Sequence, residues 1–189
     1  MTGISADPYW WQAAPPQDFH IDHWPKRADV VVIGGGYTGF GAAIPLARAG
    51  LDVVILERDQ IGSGASTRNG GITSGNLRLS FDDLTKRFGA KEAIAFYQEA
   101  KAARADLAQF IISEKIDCDL QQCGRLVGAL RPESLASMKR DAERLTKLLD
   151  IEATVYDRTS LPDYIDTSRY YGGMMRNDIG GIHPAKLLA

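Results

Sequence analysis

The chain has 189 residues, with 22 Lys and Arg against 24 Asp and Glu, a net charge of −2 and 44% hydrophobic residues. That length is enough to bury a sizeable core, and the interspersed, nearly balanced charge excludes a protein drawn electrostatically to nucleic acid or anionic membranes. Apolar runs stay at a few residues and the N-terminus has no basic stretch followed by an apolar one, so the expected setting is the cytoplasm.

Residues 1–28 carry PYWWQAAPPQDFHIDHWPKR, without helical or strand periodicity. This is an arm, and its three tryptophans are expected to pack on the body of the protein, because large aromatic surface is costly in water. His20 and His23 lack a supporting Cys or carboxylate cluster, so no metal is expected.

Val30 to Ile33 is a continuous β-branched run, expected as a strand buried on both faces of a parallel sheet. Gly34, Gly36 and Gly39 follow in G-x-G-x-x-G spacing, and a helix with Ala43 and Leu46 on its packing face runs to Gly50. A second strand, Val53 to Leu56, ends at Glu57. The set is a β-α-β dinucleotide-binding unit. Gly34 permits the turn, Gly36 lets a pyrophosphate approach the backbone, and Gly39 brings helix and sheet together. The helix N-terminus offers amides and a positive dipole to the phosphates. Glu57 is placed to accept from the ribose hydroxyls and to repel a 2′-phosphate. Pro45 falls inside the helix and predicts a kink or a local break.

Residues 58–76, RDQIGSGASTRNGGITSGN, read as a loop near the carboxyl ends of the strands, where ligands of such folds bind. Its amides and the hydroxyls of Ser63, Ser66 and Thr67 can wrap phosphate, and Arg68 adds a positive charge.

Phe81, Leu84 and Phe88 predict a helix capped by Ser80 or Asp82, and a longer one starts near Lys91 with Ile94, Tyr97, Leu107, Phe110 and Ile111 as its core stripe. Residues 117–130 read as two strands around Gly124. A helix opens at Pro132 and ends near Leu149, with Leu135, Met138, Leu145, Leu148 and Leu149 inward. A short strand at Ala153 to Tyr156, a turn at Pro162 and an aromatic strand at Arg169 to Met175 follow, and Tyr164, Tyr170 and Tyr171 in this region read as ordinary β-residues or as groups facing a substrate. His183 reads as a cap or turn residue before Pro184 at a helix start. Cys118 and Cys123, with neither zinc nor C-x-x-C spacing, are expected as free thiols.

The order IGGGYTG, strand-terminal Glu57, then IGSGASTRNGG resembles the FAD-dependent D-amino acid oxidase and glycine oxidase superfamily, and looks most like its γ-glutamylputrescine oxidoreductase branch. The resemblance extends through IDCDLQQCGRLVGAL and RYYGGMMRNDIGGIHPAKLLA. Thr67 and Ile72 depart from the branch pattern, which usually has Gly and Gln there.

The resemblance implies an α/β fold, a Rossmann-like FAD-binding β-α-β core with an inserted α+β substrate-side region. Its parts are the arm at 1–28, the FAD unit and flavin loop at 29–80, the insertion at 81–176 and a return toward the FAD domain at 177–189. It implies FAD as cofactor and a small amine or amino acid as substrate, oxidised at a C–N bond. The cofactor-binding candidates are Gly34, Gly36, Tyr37, Thr38, Gly39, Glu57, Arg58, Ser63, Ala65, Ser66, Arg68, Asn69, Gly70 and Gly71. No catalytic residue stands out. Relatives of this kind are longer, so the chain is expected to be an N-terminal portion with apolar surface exposed for a missing C-terminal half. A nicotinamide-dependent dehydrogenase and a noncatalytic nucleotide-binding piece are the competing readings.

Overall fold

A computed structural model describes residues 3, 5–19, 21 and 23–189. His20, one of the histidines weighed as a metal ligand, lies outside the described residues. The regular elements are β1 (Val30–Ile33), α1 (Tyr37–Arg48), β2 (Val53–Leu56), β3 (Ile72–Thr73), α2 (Phe81–Phe88), α3 (Ala90–Ser113), β4 (Arg125–Gly128), α4 (Pro132–Leu149), β5 (Ala153–Asp157), β6 (Gly172–Arg176), β7 (Gly180–Gly181) and α5 (Pro184–Leu188), with 3-10 turns at Tyr9–Gln12, Ala65–Thr67 and Leu161–Asp163. No helix among the described residues is long and apolar enough to cross a membrane.

The chain forms two compact units. The first comprises Met1–Gly71, Lys115–Asp119 and Ile182–Ala189. In it β1 and β2 pair in parallel, from Val30 opposite Val53 to Ile33 opposite Leu56, with α1 as the crossover. The expected burial of β1 on both faces is not found. Val30 and Val32 are half-buried, whereas Val31 is 53% and Ile33 88% exposed. With one helix over a two-stranded sheet, only one face of the pleat is covered within this unit, and alternate residues fall on the open side.

The helix α1 also departs from expectation, because it continues unbroken through Pro45 to Arg48. Pro45 sits in the last turn, so the single bond it forgoes, to Gly41 O, is followed at once by a well-made C-terminus. Ala49 N–H donates to Pro45 O (3.0 Å), Gly50 N–H to Ala47 O (2.9 Å) and Leu51 N–H to Leu46 O (3.3 Å). With Gly50 left-handed, this is a Schellman ending.

The arm is seated in part. Pro8 is buried and Trp10 and Trp11 are half-buried, but Trp24 stays 69% exposed.

The second unit comprises Ile72–Glu114 and Leu120–Gly181. Its antiparallel sheet runs β4-β6-β5 and packs with α4, and β3 pairs with β7. Ser80 caps α2, its hydroxyl accepting from Asp83 N–H at 3.1 Å. Leu84, Ala93, Tyr97, Leu149 and Ile151 form the core, with Phe81, Ile94 and Leu145 against it. Arg176 is buried at the end of β6, its guanidinium forked onto Asp178 (2.9 and 2.6 Å) and bonded to Asn76.

Three expectations are corrected here. Residues 117–130 hold one strand rather than two, with an isolated bridge from Gln121 to Gly181 before Gly124, whose positive φ of 78° interrupts extension. The aromatic strand starts at Gly172, and Tyr170 precedes it with its ring 2.7 Å from where a Cβ on Gly128 would stand. Leu148 is 47% exposed, because Leu145 and Leu149, a turn apart, take the packing stripe.

The two sides of β1 should respond differently to substitution. Ile33→Thr is expected to shift the unfolding free energy by less than about 0.5 kcal/mol, whereas Val32→Ala, beneath α1, should cost about 1 kcal/mol or more in urea titrations.

Candidate functional site

The site is assembled at the carboxyl ends of β1 and β2, entirely within the first unit. Gly34 leaves β1 with φ of 104°, a conformation open to glycine. Its amide donates to Leu56 O (2.8 Å), which holds the two strand ends level. At Gly39, a Cβ would stand 1.9 Å from Gly34 O and 3.5 Å from Val32 Cγ1, so only hydrogen permits the approach of helix to strand.

Gly36 is the N-cap of α1 and supplies no side chain to its orphan amides, and the first turn carries no acid. Ser66 Oγ accepts from Tyr37 N–H at 3.0 Å and sits 2.8 Å from where a Cβ on Gly36 would be. The next two amides, of Thr38 and Gly39, have no protein acceptor among the described residues. The result is a helix N-terminus shaped by the following loop and open to an anion.

Glu57 is half-buried at the end of β2, accepting from Gly35 N–H at 2.7 Å and Asp59 N–H at 3.0 Å. These amides, Asp59 foremost, hold its carboxyl below the usual range. A carboxylate has about four acceptor positions, so the two bonds leave capacity for vicinal hydroxyls. Arg58 is turned away onto Asp59, with a 2.9 Å ion pair.

The loop after β2 is tied mostly to itself. Thr67 is buried, and its hydroxyl donates to Gly62 O at 2.6 Å rather than facing a ligand. Arg68 donates from Nε to Ser63 O (2.8 Å) and from Nη1 to Ala6 O in the arm (2.7 Å). Asn69 Nδ2 donates to Ala65 O (3.0 Å) and Ser66 O (2.8 Å), while its Oδ1 accepts from Gly71 N–H (2.8 Å). Gly70 is exposed and Gly71 buried, where Gly71 O accepts from Ile182 N–H at 2.8 Å.

Several partners were not visible in the sequence pattern. Tyr37 Oη donates to Pro184 O at 2.8 Å, tying the start of α1 to the start of α5. Burial, with the Cys118 thiol beside it, pushes the phenol up to about 12, so this donor persists at any physiological pH. His183 caps α5, its Nδ1 accepting from Lys186 N–H at 3.2 Å. Trp10 Nε1 donates to Asn69 O at 2.8 Å. Only the aromatic character of the arm signalled the last contact. Among the described residues no group of three or more His, Cys, Asp or Glu is placed to hold a metal, and Cys118 and Cys123 are free thiols.

The family described as FAD dependent oxidoreductase matches residues 29–189. Gamma-glutamylputrescine oxidoreductase of Escherichia coli K12 is 33% identical over 84% of this chain and 37% of its own length. A probable oxidoreductase, OrdL, of Rhizobium meliloti is 32% identical over 98% of this chain and 44% of its own length. The chain thus spans less than half the length of these curated relatives. Among solved structures, glycine oxidase from Geobacillus kaustophilus superposes with a TM-score of 0.68 at 21% identity, covering 86% of this chain and 42% of that one. An FAD-bound L-alpha-glycerophosphate oxidase from Mycoplasma pneumoniae gives 0.65 at 16% identity, covering 85% and 41%. At those identities the superpositions establish the fold.

The tight approach at the motif makes a paired prediction. Gly39→Ala should lose several kcal/mol of stability or fail to fold, since backbone must move. Gly41→Ala, which meets nothing within 4 Å, should gain about 0.5–1 kcal/mol from helix propensity. Thermal denaturation of both variants checks the pair.

Proposed function

The chain belongs to the FAD dependent oxidoreductase family, and from that premise we propose that its first unit holds the diphosphate and adenosine ribose of FAD, in a protein that oxidises a C–N bond of a small amine or amino acid. The observation that carries the reading is the joint geometry of α1, Glu57 and the Ser66–Gly71 loop. The Thr38 and Gly39 amides are open, and the missing Cβ of Gly36 lets Ser66 Oγ come in to brace Tyr37 beside them. Glu57 keeps its charge and spare lone pairs at the strand end, where a ribose would stand. FAD, when bound, supplies the ring that accepts the two electrons of the amine. The chain's own residues bind and orient: the α1 amides hold the phosphates, Glu57 accepts from the ribose, and the loop carries Gly70 and Gly71 alongside the inner part of the cofactor.

A γ-glutamylputrescine-like amine is the substrate put forward, supported by the E. coli relative. Because the curated relatives are more than twice as long, the reaction is proposed for the whole protein, and FAD binding is the share carried by these residues. A cytoplasmic setting belongs to the same reading and is supported by the two free thiols.

Purified protein should be yellow and release FAD on denaturation; a colourless protein that binds NADH instead would overturn the reading. Peroxide or dye reduction with a panel of amines then tests the substrate class. Glu57→Gln should weaken FAD binding about tenfold or more, the loss typical of a hydrogen bond to a charged group. The depressed carboxyl pKa also has a consequence for pH. Glu57 stays ionised down to the acid side of the usual carboxylate range, so affinity should be flat between about pH 5 and 8. It should fall only when acid protonates the carboxylate, in the direction opposite to a histidine-controlled site.

A further inference from the structure

The loop that follows β2 is closed from within by Asn69, whose side chain meets Ala65 O, Ser66 O and Gly71 N–H. The backbone carbonyl of the same residue is held from outside, by Trp10 Nε1–H of the arm at 2.8 Å. That indole is itself fixed. It lies edge-on against His183, with ring centroids 4.9 Å apart and planes at 66°, and 3.3 Å from where a Cβ on Gly71 would stand. His183 cannot yield easily, because its N–H donates to Cys118 O at 2.7 Å while its Nδ1 caps α5. Arg68 Nη1 adds a second tie between loop and arm at Ala6 O.

A trans peptide points its carbonyl and its N–H in opposite directions, and the described residues contain no cis bond. Holding Asn69 O toward the arm therefore turns Gly70 N–H away from it. Gly70 is exposed, and its amide has no protein acceptor among the described residues. An amide that the fold orients so firmly and leaves unpaired is a donor prepared for a ligand.

We propose that Trp10 is a positioning residue for the cofactor: its indole N–H fixes the Asn69–Gly70 peptide so that Gly70 N–H donates to an acceptor atom of bound FAD. The proposal rests on the FAD reading of this unit. The arm is then part of the cofactor site, acting through the loop without touching the ligand.

Trp10→Phe removes the indole N–H and keeps a smaller aromatic ring on the same Cβ to face His183. In this variant FAD should bind about five- to tenfold more weakly, the loss that one hydrogen bond typically represents. The visible circular dichroism of the bound flavin should change, and amide exchange at Gly71, whose N–H is bonded to Asn69 Oδ1, should accelerate in flavin-free protein while β1 and β2 keep their protection. A merely structural tryptophan would lower the melting temperature without moving the flavin signal. Parallel titration with ADP locates the acceptor: an equal loss with ADP places it on the diphosphate, and a loss confined to FAD places it on the flavin side. Unchanged FAD affinity and unchanged loop exchange in Trp10→Phe overturn the proposal. Parent protein that binds no FAD overturns the underlying site reading, and this failure is distinguishable because loop exchange still reports whether Trp10 holds the peptide.

Discussion

The hydrogen bond from Gly35 N–H to Glu57, 2.7 Å long, is the contact on which the rest of the site depends. It joins the turn after β1 to the end of β2 across 22 residues of chain. The turn must be held because Gly34 leaves its strand in a conformation that other residues rarely take. Once fixed, that turn sets where α1 begins, and so where its unpaired amides point. After the Asp59 amide, the same bond is the next contribution that favours the Glu57 carboxylate over the acid. One interaction therefore bears both on where α1 begins and on the charge at the end of β2.

Around it, the loop after β2 is built by a different logic. Three of its polar side chains are turned to the backbone. Thr67, Arg68 and Asn69 spend their donors on carbonyls of the loop or the arm. The Gly70 amide is left exposed without a protein acceptor among the described residues, and a main-chain donor costs less entropy to order than a flexible side chain. Thr67, where the branch pattern usually has glycine, fits this logic: a buried hydroxyl bonded to Gly62 O stiffens a stretch that would otherwise have more freedom.

Local features of the fold were legible in the sequence because local physics sets them. The G-x-G-x-x-G spacing, Ser80 as a cap, Pro132 at a helix start and the 3.6-residue stripe of α3 all act within a turn or two of themselves. Features set at long range were not. The open face of β1 depends on how many elements cover the sheet, which four valines and isoleucines in a row do not encode. The missing strand before Gly124 and the late start of β6 reflect partners chosen elsewhere in the chain. Arg68 and Thr67 were identifiable as polar loop residues, but their direction was not, because either could face a ligand or a neighbouring carbonyl. Trp10 was readable as an aromatic that needs burial; that its indole N–H meets the Asn69 carbonyl required the structure.

The bond between Tyr37 and Pro184 spans 147 residues, and it places a clock on the first unit. At ribosomal rates of about 5–20 residues per second, roughly 7–30 s separate synthesis of the glycine motif from that of the segment that braces it. During that interval β1, α1 and β2 can form, since their contacts are close in sequence. Gly71, however, waits for Ile182, and Trp10 waits for His183. A nascent chain therefore has the glycine turn after β1 well before it has the backing that sets the loop after β2.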